Sequence, residues 1–179
     1  MPKSEIVNHQ LYKNAKAILC QSTFHADIVR KNLGFDTIKS LGGNLWSSES
    51  LELMSNLASQ EKLDMCAIMQ TDNWHKNTIG AVRYCKIKNL PHALIPPCDY
   101  HDFLSRLATY RRLVFFPQTP ETLSRIAVEA RMMGMAVVTN QNVGATKEPW
   151  FHLKGEELIE VMRKKREEIP QIVMEIMNG

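Results

Sequence analysis

Two carboxylates, Glu121 and Glu129, stand eight residues apart, with seven between them, in a stretch whose residue types suit ligand chemistry. An apolar strand-like run, Leu113 to Phe116, leads through Pro117-Gln118-Thr119-Pro120 into a helical pattern reaching Met133. With Glu121 at the helix mouth and Glu129 two turns inside, roughly 12 Å of helix axis separates them. That is too far for a shared-proton pair or for two carboxylates acting at one glycosidic bond. It suits two contacts at opposite ends of an elongated, polyhydroxylated anion. The free backbone N–H groups near Thr122, Leu123 and Ser124, helped by the helix dipole, would meet negative charge between them. A plainer reading fits the spacing equally: Glu121 complements the positive helix end for about 0.3–1 kcal/mol, and Glu129 pairs with Arg125 one turn back.

The elements that must position these residues alternate short apolar runs with helical periodicity. Helices are expected over Ser4–Asn14, from a Thr23 cap to Gly34, and over Ser48–Leu57. Further helices are expected over Asn77–Lys88 with Ile79, Val82 and Ile87 inward, over Asp99 or Tyr100 to Tyr110, over Thr122–Met133, and over Gly155–Met177 with a bend at Pro170. Strands are expected at Ala17–Cys20, Thr37–Leu41, Met65–Met69, Ala93–Ile95, Leu113–Phe116 and Ala136–Thr139, with a turn at Gly42-Gly43-Asn44. Continuous apolar strands separated by helices point to an α/β domain with a mostly parallel sheet covered on both faces. In such sheets ligands bind beyond the carboxyl ends of the strands.

A chain of 179 residues suits one domain with a substantial core. The net charge of +3 is scattered, and the densest basic run, Arg163-Lys164-Lys165-Arg166, is followed at once by Glu167-Glu168, as on a solvated helix face. Aromatic residues make up 7% and do not interleave with a basic stripe, which argues against nucleic-acid binding. Cys20, Cys66, Cys85 and Cys98 form no C-x-x-C pair, and the histidines, among them His75, His92 and His101, form no ligand pair. Buried reduced thiols are expected, and neither a disulfide framework nor a metal site. Met1 to Glu5 is polar without an apolar stretch behind it, and no run approaches the roughly 20 apolar residues that span a bilayer. A cytoplasmic protein with no transmembrane segment is expected.

The segment from Pro120 to Asn140 resembles the donor-site signature of retaining glycosyltransferases of the GT-B fold, the group 1 type with the E-x7-E motif. That signature reads P-E-[T/G]-[F/L]-[G/S]-R-x-x-x-E-A-x-x-x-G-x-P-V-V-x-[T/S]; both glutamates, Gly134 and the following strand fall in register. The resemblance implies that Glu121 faces the donor sugar as a catalytic-site residue and that Glu129 binds the nucleotide ribose. It gives the distal phosphate to the backbone of Thr122, Leu123 and Ser124. In the earlier loop Met69 to Asn77, Lys76 matches the family's phosphate-binding lysine, while Gln70 or Thr71 stands where an arginine is usual. Glu148, in the loop after the last donor-site strand, matches a residue that is often structural. Other departures are Met135 near the usual proline, no glycines at Thr122-Leu123-Ser124, and a short Lys88–Asp99 region.

The resemblance further implies a single Rossmann-like three-layer domain over 1–179, one half of a GT-B fold. Residues 1–35 would be a segment crossing in from a preceding domain and 36–179 the donor-binding core. Leu11 to Leu33 resembles that entry stretch. The implied function is retaining transfer of a sugar from a nucleoside diphosphate-sugar to an acceptor hydroxyl, without a cofactor or bound metal. The acceptor-binding half would be missing and the isolated chain inactive. In a second reading the chain is a partner-dependent nucleotide-sugar-binding subunit, docking through Ile6 to Leu19 and the C-terminal helix. A third makes it a non-catalytic module.

Overall fold

The computed structural model describes residues 9–179. In chain order the elements are α1 (His9–Asn14), β1 (Ile18–Cys20), α2 (Thr23–Leu33), β2 (Ile38–Ser40), α3 (Ser48–Ala58), β3 (Leu63–Met69) and α4 (Thr78–Ile87). They continue with β4 (His92–Ile95), α5 (Tyr100–Ala108), β5 (Tyr110–Phe115), α6 (Arg125–Met132), β6 (Ala136–Thr139) and α7 (Glu156–Asn178). Of the helix expected from Ser4, the cap and Ile6 and Val7 lie outside the described residues; so does part of the expected Ile6–Leu19 docking patch.

Every strand pairing is parallel. The main sheet runs β4-β3-β5-β6, and β1 pairs with β2 in a separate two-stranded sheet. Alternation along the strands divides the main core as the pleat requires. Cys66, Ile68 and Val114 pack with Ala81 and Cys85 of α4 on one face. Ala67, Leu113 and Phe115 pack with α3, α5, α6 and α7 residues on the other. The result is a three-layer, Rossmann-like α/β arrangement. A third, smaller cluster of Cys20, Ala26 and Ile38 seats α2 on β1 and β2. Burial, with Cys66 alongside, pushes the Cys85 thiol up to about 11, so it stays protonated and inert at neutral pH.

Several local expectations are corrected. Ser22, not Thr23, caps α2: its extended backbone lets the hydroxyl accept from the His25 N–H at 3.1 Å. Thr23 instead directs its N–H (2.6 Å) and its hydroxyl to the buried carboxylate of Glu148. Ile79 and Ile87 face solvent at 76% and 71% exposure, because α4 approaches the sheet through the small side chains of Ala81 and Cys85. Tyr110 opens β5 instead of closing α5, which ends at Ala108. The helix expected over Gly155–Met177 is present as α7, with Pro170 inside it.

The largest correction concerns α6, which begins at Arg125 and not at Thr122. Glu121 forms a parallel bridge with Val143: the Glu121 N–H donates to Asn142 O (2.7 Å) and the Gly144 N–H to Glu121 O (3.0 Å). The Ala145 N–H reaches Leu123 O at 2.9 Å, so residues 121–124 are held as a loop before the helix can start. Ser124 then turns the chain with a left-handed backbone, φ 73°.

This loop contact has no room to spare. A Cβ on Gly144 would run into the Thr122 carbonyl and lie 2.7 Å from Ser22 Oγ, which itself donates to that carbonyl. Gly144→Ala is therefore expected to lower unfolding stability by about 1–3 kcal/mol through overpacking. A urea midpoint equal to the wild type would show that the loop can shift at no cost.

Candidate functional site

The carboxyl ends of β3 and β5 converge on a short 3-10 turn, Trp74–Lys76, and the loop after Phe115. The Asn73 side chain accepts from the His75 N–H at 3.0 Å and starts the turn. Gln118 then ties it down, its N–H donating to His75 O (2.8 Å) and its side-chain amide to Trp74 O (3.1 Å). Asn77, left-handed at φ 57°, donates its side-chain amide to Phe116 O at 2.9 Å. These bonds deliver Lys76 to Glu121, Nζ to Oε1 at 2.7 Å, with the ammonium 5.8 Å from the Phe115 ring centre. The pair is partly shielded, the side chains 32% and 18% exposed.

Beside this pair the backbone turns donor-rich. Among the described residues, no protein acceptor takes the N–H groups of Thr122 through Ile126, the last two being the first turn of α6. Such a run, with the positive end of the helix dipole behind it, attracts anionic oxygens. Ser124 is 6% exposed, and its hydroxyl has no hydrogen-bond partner. Leu123 is fully buried and does not line the adjoining cleft.

A cleft of about 320 Å³ opens here, lined by Lys76, Glu121, Ser124 and Arg125 together with Gln21 and Asn44. Met69 separates it from a neighbouring cavity of about 380 Å³ that also touches Gln70, Thr71, Pro97 and Tyr100. A larger cavity, about 460 Å³, lies between α3 and α7. Its arginines are engaged: Arg163 bonds Glu156 and Glu160, and Arg166 bonds Ser48. We therefore take the smaller cleft, where unpaired donors converge, as the site.

Glu129 is 4% exposed and is not among the residues lining the cleft. Its Oε1 accepts from Trp46 Nε1 (2.9 Å), from the Tyr100 hydroxyl (2.9 Å) and from Arg125 Nε (3.4 Å). Three donors make a buried carboxylate tolerable. Arg125 is fixed in turn by Leu45 O at 3.2 Å and by stacking 4.9 Å from the Trp46 ring. Burial, then the charge and hydrogen bond of Glu129, push the Tyr100 phenol up to about 12.

Of the residues singled out in the sequence, Lys76, Glu121, Thr122 and Ser124 share one cleft, whereas Leu123 is buried and Glu129 lies outside its lining. The i,i+4 contact of Arg125 with Glu129 is present as well. Gln21, Asn44 and Arg125 as cleft residues, and Trp46 and Tyr100 as partners of Glu129, were missed. Arg125 stands inside the signature and could have been found there. Trp46 is 83 residues from Glu129, and no spacing rule connects them.

No protein-family model matches the chain, and no curated protein matches it. Among solved structures, a glycosyltransferase from Rickettsia africae ESF-5 is similar, with a TM-score of 0.55 and 12% identity over 96% of this chain. The chain spans 58% of that protein's length. At this identity the likeness shows the fold, which is glycosyltransferase-like. Among the described residues, no helix is long and apolar enough to cross a membrane.

The Tyr100–Glu129 contact has a pH signature. Below about pH 10, the ordinary tyrosine value, the phenol is protonated in folded and unfolded chains alike. Between there and about 12 the unfolded chain releases the proton while the folded one keeps it, so stability falls as pH rises. Denaturant titrations across this range should show that slope in the wild type and a flatter profile in Tyr100→Phe. Equal slopes would remove Tyr100 as its source.

Proposed function

We propose that this chain binds the donor nucleotide of a retaining glycosyltransferase, forming the C-terminal half of a GT-B enzyme. The single observation that carries this reading is the Lys76–Glu121 pair set beside the unpaired N–H groups of Thr122 to Ile126. A nucleoside diphosphate-sugar matches that arrangement. Its diphosphate is a dianion or more for the N–H groups and Lys76, and its sugar hydroxyls are donors for Glu121. The glycosyltransferase-like fold agrees with this choice.

Glu121 neutralises Lys76. An arriving diphosphate offers the ammonium a more negative partner, and Glu121 is then free to accept from sugar hydroxyls. During transfer the bond from the anomeric carbon to the diphosphate oxygen breaks. A new bond forms to the acceptor oxygen on the same face, and the acceptor proton passes to the departing diphosphate oxygen. Lys76 and the α6 amides stabilise the charge that accumulates on the leaving diphosphate, which is electrostatic catalysis by fixed dipoles and charge. Glu129, under its three donors, fixes Arg125 and Trp46 at the edge of the cleft. The acceptor site belongs to a second domain or subunit, so transfer requires that partner.

A partner-dependent or non-catalytic nucleotide-sugar-binding subunit is the second reading. The observation favouring it is the residue pair Gln70 and Thr71 where a second phosphate-binding cation is usual; Thr71 spends its carbonyl on the Thr78 hydroxyl at 3.2 Å. Arg125, which lines the cleft, is the substitute cation in the first reading.

Calorimetric titration with UDP, GDP and ADP and their sugars tests the binding role, which fails if none binds. Lys76→Ala should weaken diphosphate binding by roughly 10–100-fold, the worth of a charge-assisted contact. Glu121→Gln should act oppositely on the bare nucleotide: it frees Lys76, so the nucleoside diphosphate binds more tightly while the preference for the sugar-bearing form shrinks. Tighter binding of both forms by the same factor would leave Glu121 no part in holding the sugar.

A further inference from the structure

Gln21 and Asn44 occupy equivalent places on the smaller sheet. Gln21 directly follows β1, and Asn44 lies four residues past β2, so both stand beyond carboxyl ends of parallel strands. They line the same cleft as Lys76, Glu121 and Arg125, which follow β3 and β5. The cleft thus draws its lining from both sheets of one chain. The two units are joined at this point by the Ser22 hydroxyl, which donates to the Thr122 carbonyl.

The two amides share a second feature. Each has its acceptor end occupied by the protein: Gln21 Oε1 takes the Thr122 hydroxyl at 2.7 Å, and Asn44 Oδ1 takes the Leu45 N–H at 2.8 Å. Each leaves its NH₂ group without a protein partner among the described residues. The Leu45 contact also settles the Asn44 orientation, since an N–H requires the oxygen. Both side chains are half-buried, so an unpaired NH₂ is available to something in the cleft.

We propose that the Gln21 and Asn44 amides are binding residues that donate hydrogen bonds to non-bridging oxygens of a bound nucleoside diphosphate in the cleft they share with Lys76. This rests on the donor-binding reading given above. The choice of phosphate oxygens follows from the rest of the lining. Lys76, Arg125 and the N–H groups at the start of α6 all present donors or positive charge, and Glu121 is the one carboxylate among the lining residues. Ligand groups between these walls are therefore acceptors. A sugar hydroxyl could accept from an amide too, but it could equally donate to a carboxylate, and that difference makes the proposal testable.

Gln21→Glu and Asn44→Asp keep the engaged oxygen and replace the free NH₂ by a second, negative oxygen. The Thr122 and Leu45 contacts survive, so thermal midpoints should match the wild type. Affinity for UDP, GDP or ADP, whichever the wild type binds, should fall roughly 10–100-fold in each variant, the loss expected when a donor to a charged oxygen becomes a like charge. Gln21→Met, neutral and of similar size, should fall between wild type and Gln21→Glu. It supplies the ordering should the acidic variant fold poorly. If the wild type binds a nucleotide and all three variants bind within twofold of it, the amides do not touch phosphate, while the donor-binding reading stands. If Gln21→Glu or Asn44→Asp binds the bare nucleotide as tightly as wild type while its affinity for the sugar-bearing form changes, a sugar hydroxyl is the partner and the phosphate assignment is overturned. A wild type that binds no nucleotide and no inorganic pyrophosphate removes both the reading and this assignment.

Discussion

The register of Glu121 against Val143 is the constraint on which the site depends. Two backbone hydrogen bonds, from Glu121 N–H to Asn142 O and from Gly144 N–H to Glu121 O, act as one more rung beyond the end of β6. They keep residues 121–124 out of the helix that their composition would allow. The delay matters because a helix closing over Thr122 would engage the Arg125 and Ile126 N–H groups, which now have no protein acceptor among the described residues. Since α6 starts at Arg125 behind a left-handed Ser124, these N–H groups lie at the helix mouth beside the cleft. Serine in that conformation carries strain that glycine would avoid. The bridge, the Ala145 to Leu123 bond and the Ser22 contact to Thr122 over-determine the loop and hold it there.

Burial of Glu129 is the second element of the same design. Taking a carboxylate out of water costs several kcal/mol unless hydrogen bonds replace the solvent. Here Trp46 comes from the segment before α3, Tyr100 from the start of α5, and Arg125 from the first turn of α6. One oxygen therefore gathers three separate elements. Arg125 gains a fixed place over Trp46 instead of sampling solvent. A surface arginine loses considerable rotamer entropy on binding an anion, and one already stacked and bonded loses less.

The sequence was legible where periodicity and punctuation agreed. Gly34 ends α2 with φ 71°, Gly134 follows α6 with φ 79°, and the apolar runs at Met65–Met69 and Ala136–Thr139 lie in the main sheet. Lys76, Glu121, Thr122 and Ser124 do converge on one cleft. Three kinds of information were not local and so could not be read. The start of α6 is set by a bridge to Val143, in a loop that follows another strand. The outward turn of Ile79 and Ile87 is set by how closely α4 approaches the sheet, which the small residues Ala81 and Cys85 permit. The contribution of Gln21 and Asn44 to the cleft lining comes from loops distant in sequence from Glu121, and the Gly42-Gly43-Asn44 turn signal says nothing of a ligand. Helix capping fell between these cases: Ser22 and Thr23 are both good caps by type. The distant Glu148 decides the matter by engaging Thr23.

Charge balance links these observations to the behaviour of the empty protein. Lys76 and Arg125 would together present two positive charges to a half-shielded cleft, a costly arrangement without a ligand. Each has a resident carboxylate, Glu121 at 2.7 Å and Glu129 at 3.4 Å. The two carboxylates are not equivalent. Glu129 is locked by Trp46 and Tyr100 and cannot follow a ligand, whereas Glu121 holds Lys76 through one contact and remains partly exposed. An anion entering the cleft meets one cation that is fixed and one that can be transferred to it. The pair with eight-residue periodicity thus divides its work by burial: the buried glutamate builds the wall, and the accessible one exchanges partners. Spacing alone made the two look like matched contacts along a ligand; their surroundings make them different instruments.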